Sequence, residues 1–160
     1  MSNQMLLTIL GLALLSIITL TYNQSISSHQ TTMFNNEAIL TATALAQGML
    51  DEISTRAFDE KTINGGVTSA DSLTSNGSLG PDTGESNMLL YDDIDDFKNY
   101  IDTTSMERLG NFSFKVQVGY IQNLNPDTKI STRSFSKRID VAVHNQYLPD
   151  TLKVKTIISY

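Results

Sequence analysis

The sequence predicts an α+β protein: a long N-terminal α-helix, apolar in its first half and amphipathic in its second, packed on a small antiparallel β-sheet. Three observations carry that expectation. The first charged side chain is Glu37, which lies beyond an almost wholly apolar run from Met5 to Leu20. No proline occurs before Pro81, so nothing forces a break in a helix that begins in that run. From Phe112 to the C-terminus, apolar and polar residues alternate with a period of two, as they do in strands with one buried face.

Met5–Leu20 reads MLLTILGLALLSIITL, interrupted only by Thr8, Gly11, Ser16 and Thr19. With Tyr22 as an interface anchor, the uncharged stretch reaches the roughly 20 residues that a helix needs to cross a bilayer. A cleaved secretory signal fits poorly, since no Lys or Arg precedes the run and LTYNQSISS offers no small-x-small cleavage site. A plain single-pass anchor would end in an ordinary linker. Instead, Phe34, Ala38, Ala42, Leu45, Met49, Ile53 and Ala57 recur at steps of three or four, which places them on one helical face. Gly48 weakens that helix by about 1 kcal/mol without ending it. One helix of about 50 residues, roughly 75 Å long, is expected, with its Ser/Thr/Asn-rich middle locally loosened.

Residues 1–28 form the membrane or filament-core half of this helix. Its core-facing residues are Met5, Leu6, Leu7, Ile9, Leu10, Leu12, Leu14, Leu15, Ile17, Ile18 and Leu20. Residues 29–160 form the globular part, with the amphipathic helix running to about residue 60. Ala38, Ala42, Leu45, Met49 and Ile53 are expected to pack on the sheet, since no other long amphipathic surface is available to cover it.

Residues 61–90 are dense in Gly, Ser, Thr and Asn, with turn dipeptides at Asn64-Gly65, Asn76-Gly77 and Gly80-Pro81. They read as a long surface loop, functional or mobile. Strands follow at about 112–122, 135–144 and 151–160. The segments around Asn125-Pro126-Asp127-Thr128 and Leu148-Pro149-Asp150 read as turns.

Composition narrows the chemistry. The chain's 160 residues suit one domain, or one small domain with an extended element. With 11 Lys+Arg against 17 Asp+Glu the formal charge is -6, which disfavours a nucleic-acid partner. No Cys is present, which excludes disulfides, thiolate metal sites and Cys nucleophiles. His29 and His144 are the only histidines and lie far apart in sequence, so a zinc site is not expected. No G-x-S-x-G elbow or phosphate-binding loop occurs, and neither catalysis nor a cofactor is expected.

The acidic run Asp92, Asp93, Asp95 and Asp96, with Asp102 nearby, is the one constellation able to offer oxygen ligands to a hard cation such as Ca²⁺. It lacks EF-hand spacing. A solvated acidic turn or a helix N-terminus, where carboxylates complement the dipole, is the favoured reading, and no metal is expected. Asn23, Asn76 and Asn111 head glycosylation tripeptides, and Asn76, in the loop, is expected to be the most accessible.

This layout resembles the type IV pilin superfamily, which includes minor pilins and the pseudopilins of type II secretion. The segments ATALAQGMLDEISTRAFDE (Ala42 to Glu60) and YDDIDDFKNY (Tyr91 to Tyr100), with the KRIDVAV and LKVKTIISY strands, are most similar to minor pilins of the mannose-sensitive haemagglutinin group. The resemblance covers nearly the whole chain. It implies a structural subunit of a pilus-like extracellular filament that polymerises through its apolar helix. Such a subunit would reside in the inner membrane before assembly and then in a helical homo-oligomer at the cell surface, with pilus or secretion assembly machinery as a further partner. The family pattern also has a short basic leader ending in Gly and a Glu at the fifth mature position. Met5 stands at that place here, which leaves two alternatives: a leader removed before numbering from a subunit without the Glu, or an unusual relative that keeps Met1. Two other functions stay open, a minor pilin or pseudopilin that primes a pilus or secretion system, and a monomeric membrane-anchored binding module.

Overall fold

The computed structural model describes residues 2–160, in two units, one ending at Glu37 and the other spanning Ala38–Tyr160. Helix α1 is continuous from Ser2 to Ser54. Gly11 and Gly48 leave it unbroken, and nothing lies within 4 Å of where a Cβ would stand at either. The Thr8, Ser16, Thr19 and Thr21 hydroxyls donate to the carbonyl oxygens of Met5, Leu12, Leu15 and Ile17 at 2.8–2.9 Å. These back-bonds satisfy each hydroxyl within the helix itself. The expectation about Met1 as a retained N-terminus lies outside the described residues.

In the second unit the C-terminal part of α1 buries Ala38, Ala42, Ala46, Leu50 and Ile53. The buried line therefore runs a little to one side of the expected stripe. Ala46 and Leu50 are buried, while Leu45 and Met49 are half-buried at its margin. Steps of four residues keep Ala38, Ala42, Ala46 and Leu50 nearly in register along the axis, so these side chains form one buried line.

The helix ends at Ser54 rather than near residue 60. Ala57, expected on the helical face, instead forms an isolated parallel bridge with Asp93. Its N–H donates to the Asp92 carbonyl and its carbonyl accepts from Ile94, both at 3.0 Å. A single turn, α2 (Glu60–Ile63), then starts at Asp59, whose side chain and Thr62 form a reciprocal capping box.

The sheet has five antiparallel strands: β1 (Ile101–Met106), β2 (Gly110–Gln122), β3 (Asn125–Lys129), β4 (Ser136–His144) and β5 (Leu152–Ser159). Their order is β1-β2-β4-β5, with β3 paired to the end of β2. Phe112, Phe114, Val116, Val118 and Tyr120 on β2 and Ile139, Val141 and Val143 on β4 point inward and are buried. Together with the buried face of α1 they make the core.

Strands β1 and β3 were not expected. β1 is an edge strand whose residues are mostly exposed, so it carries no apolar alternation to read. β3 contains Pro126 in a segment that reads as a turn, and proline is tolerated because this short strand pairs on one side only. The β1–β2 turn closes through Gly110, at φ 72, a conformation that a side chain would strain.

The 61–90 segment is tied down more than its composition suggests. It carries α2 and 3-10 turns at Ala70–Ser72 and Met88–Leu90, and it buries Leu73 and Leu79. The Lys98 Nζ donates to the Asn76 carbonyl at 2.6 Å. The Val67 N–H donates to the Tyr160 hydroxyl at 3.0 Å, and the Tyr160 ring packs against Phe58 and Phe135.

Candidate functional site: the apolar helix and a buried charge cluster

In the first unit, the large apolar side chains from Met5 to Leu20 are all exposed, by 51% to 68% of their surface. All the expected residues belong to this set: Met5, Leu6, Leu7, Ile9, Leu10, Leu12, Leu14, Leu15, Ile17, Ile18 and Leu20. Apolar side chains cover every side of the helix here, so no single face can be buried to hide them. Together with Ser, Thr and Gly positions that expose no unsatisfied polar group, this is a surface suited to an apolar surround. The segment is long and apolar enough to cross a membrane, and it fits membrane anchoring.

In the second unit, the Asp92–Asp96 run departs from the solvated turn the sequence suggests. Only Asp92 is exposed; Asp93, Asp95 and Asp96 are buried. Their carboxylates are directed largely at backbone and at one lysine. Asp93 Oδ1 accepts from the N–H groups of Asp95 at 2.6 Å and Asp96 at 3.2 Å. Asp96 Oδ2 accepts from the N–H groups of Asp92 at 3.1 Å and Asp93 at 3.2 Å. The two side chains thus cap the 3-10 turn Asp95–Phe97 and the bend before it. Asp92 and Asp96 also form, with Glu85, a group whose oxygens lie within 4.8 Å of one another.

Asp95 Oδ1 instead accepts from Lys137 Nζ at 2.6 Å, and the same ammonium donates to Asp59 Oδ2 at 2.9 Å and to the Phe58 carbonyl at 2.7 Å. Lys137 is fully buried, with its ammonium 4.4 Å from the Phe58 ring centroid and 5.0 Å from that of Tyr120. Asp59 accepts further from the Thr74 N–H and hydroxyl at 3.1 and 2.9 Å and from the Lys61 N–H at 3.1 Å. The Tyr120 hydroxyl lies 2.7 Å from the Thr74 carbonyl oxygen and 3.0 Å from Asp59 Oδ2, sharing its one proton between them. Asp59 therefore joins the segment after α1, the loop, β2 and β4 at one buried point.

The balance of charge is uneven: Asp59, Asp93, Asp95 and Asp96 are buried with one buried ammonium, that of Lys137, which among these four touches only Asp59 and Asp95. Asp59 takes most of its benefit. Burial alone would raise its pKa, but the Lys137 hydrogen bond and charge, with the Lys61 and Thr74 donors, hold it down to about 2. Burial and the neighbouring Asp95 push Asp93 up to about 7. Burial also pushes Asp95 up to about 7 against the pull of Lys137, and its Oδ2 finds no hydrogen-bond partner among the described residues. Burial and Asp93 raise Asp96 as well. Protonation of the excess carboxyls is the response expected when buried charge outnumbers its partners.

Sequence reasoning did not single out Asp59 or Lys137, and it read Tyr120 only as an apolar strand position. A signal was present: Tyr120 continues the inward series Phe112 to Val118, and Lys137 is in phase with Ile139, Val141 and Val143. A lysine in phase with core residues needs a buried acid, and the acidic run is where one is found. The glycosylation candidate Asn76 is half-buried, whereas Asn111 is exposed, as are His29 and His144.

A long apolar N-terminal helix whose later turns pack on an antiparallel sheet defines an α+β protein of pilin-like architecture. No family model, curated protein or solved structure matches the chain.

Proposed function

We propose that the chain is a structural subunit of a type IV pilus-like extracellular filament, held in the inner membrane by its apolar helix before assembly. In this reading the subunits polymerise by bundling that helix. The observation that carries it is the helix itself: large apolar side chains from Met5 to Leu20 are exposed on all sides, and the same element continues into the core of a β-containing unit. A lipid tail region satisfies such a surface before assembly, and neighbouring copies of the same helix satisfy it afterwards. Apolar burial at roughly 25 cal/mol per Å² offsets departure from the bilayer once several neighbours enclose the segment.

The role is structural rather than catalytic. The buried polar groups bind one another and the backbone, and their linkages join elements of the fold. Membrane extraction requires an outside machine of the pilus or secretion kind. A priming minor subunit uses the same helix and is the second reading that this surface supports.

Deleting residues 1–28 tests the proposal. Filaments are expected to disappear while the remaining chain stays folded, its far-ultraviolet circular dichroism showing the sheet with a shortened α1. Filaments that persist without the apolar segment would contradict it.

A further inference from the structure

The sheet face turned away from α1 carries an unneutralised pair of cations. In register, Lys115 on β2 and Lys153 on β5 sit on either side of Ala142 on β4. Two strand spacings put their backbones roughly 10 Å apart, and the small Ala142 side chain leaves a trough between them, part of a cavity of about 560 Å³. The next row behaves differently. Asp140 is bound by Lys129 at 2.8 Å and Arg138 at 2.9 Å, and Lys155 is paired with Asp127. Lys115 and Lys153 are exposed and have no carboxylate partner among the described residues.

The opposite imbalance occurs elsewhere on the same unit. Glu60, Asp82, Glu85 and Asp92 line one open cavity of about 450 Å³. Burial, then repulsion from Asp82 and Asp92, raises the Glu60 pKa. Burial, then Glu85 and Asp82, raises that of Asp92. These acids therefore repel one another more than nearby cations relieve them. The acidic and basic patches share no residue.

We propose that the lysine-flanked trough on the outer sheet face of one copy docks against the acidic cleft of Glu60, Asp82, Glu85 and Asp92 on a second copy. The proposal rests on the filament reading and deepens it by assigning the contact between neighbouring β-containing units. A second copy is the occupant that charge complementarity favours, because one contact relieves both imbalances in a chain whose formal charge of -6 otherwise makes copies repel. Two unlike patches make a heterologous contact, which repeats without closing and gives an open polymer.

The chain has no cysteine, so introduced thiols report pairing without background. Ala142→Cys places one in the trough, and Thr83→Cys places one beside the acidic cleft, with every charge retained. Full-length chains carrying one or the other are mixed in their assembled state and oxidised. The mixed disulfide is expected to exceed either self-pair by about tenfold and to fall by a similar factor in molar salt. Lys115→Glu in the Ala142→Cys chain is expected to lower the yield, and Asp82→Lys in the Thr83→Cys chain to restore it. Assembly in which all pairings form equally would overturn this contact and leave the filament reading standing. Failure of the full-length chain to self-associate at all would overturn both.

Discussion

Lys137 shows how one residue organises the second unit. Its ammonium reaches both Asp59 and Asp95, and through Asp59 it holds the segment after α1, the loop and two strands together. A buried pair of this kind need not add net stability over apolar packing, but it makes one arrangement of those segments far better than the alternatives. The surplus of carboxyls has a measurable cost. Asp93 and Asp95 have folded pKa values raised to about 7, against about 4 in an unfolded chain. Between those values the folded chain binds more protons than the unfolded chain, so stability falls as pH rises from about 4 towards 7. Asp59, held down to about 2, acts in the other direction: its contribution is present above pH about 4 and is lost as pH falls towards 2. Thermal unfolding of the full-length chain in detergent should therefore give its highest midpoint at about pH 4 to 5. Asp93→Asn keeps an Oδ1 acceptor for the Asp95 and Asp96 N–H groups and removes one ionisation. It is expected to flatten the decline and to stabilise the chain at pH 7.5 by on the order of 1 to 2 kcal/mol. A midpoint that climbs steadily from pH 5 to pH 7.5 would contradict this assignment of charge.

At the scale of elements, the long helix and the three apolar-faced strands were legible because periodicity reports burial directly. The 3.6-residue repeat of Ala38, Ala42 and Ile53 marks the packed face of α1, and the two-residue repeats of β2, β4 and β5 mark the inner face of the sheet. What burial does not write into sequence was missed. Strand β1 is an exposed edge, β3 is short and includes Pro126, and the helix end at Ser54 is set by the bridge from Ala57 to Asp93, a partner distant in sequence. The acidic run was recognisable as a cluster but not as buried, since the one buried cation among the described residues, Lys137, comes from β4, far along the sequence. Ile53 is fully buried near the C-terminal end of α1, with Ala46 and Leu50 in the same line, so Ile53→Ala should leave a cavity between helix and sheet. A loss of about 2 to 5 kcal/mol is expected in chemical unfolding of the full-length chain in detergent. A loss well under 1 kcal/mol would mean that the end of the helix is not packed as described.

For the whole molecule, the two halves of α1 face different demands. From Met5 to Leu20 it needs an apolar surround, and from Ala38 onward it is part of a folded core. The proposed filament reading rests on this architecture, a long apolar helix continuing into a unit with an antiparallel sheet. The helix would supply a physical reason for a filament under the proposal: the same apolar surface would be served by lipid before assembly and by neighbouring copies after it. No charged side chain lies between Met5 and Leu20, so in the proposed filament apolar contact rather than a side-chain ion pair would have to hold neighbours together there. Electron cryomicroscopy of assemblies from cells producing the full-length chain tests this most directly. The account predicts a helical repeat with the Met5–Leu20 segments bundled along the axis and the Ala38–Tyr160 units outside. Finding the chain only as isolated single-span subunits in the membrane, with no helical assembly, would contradict it.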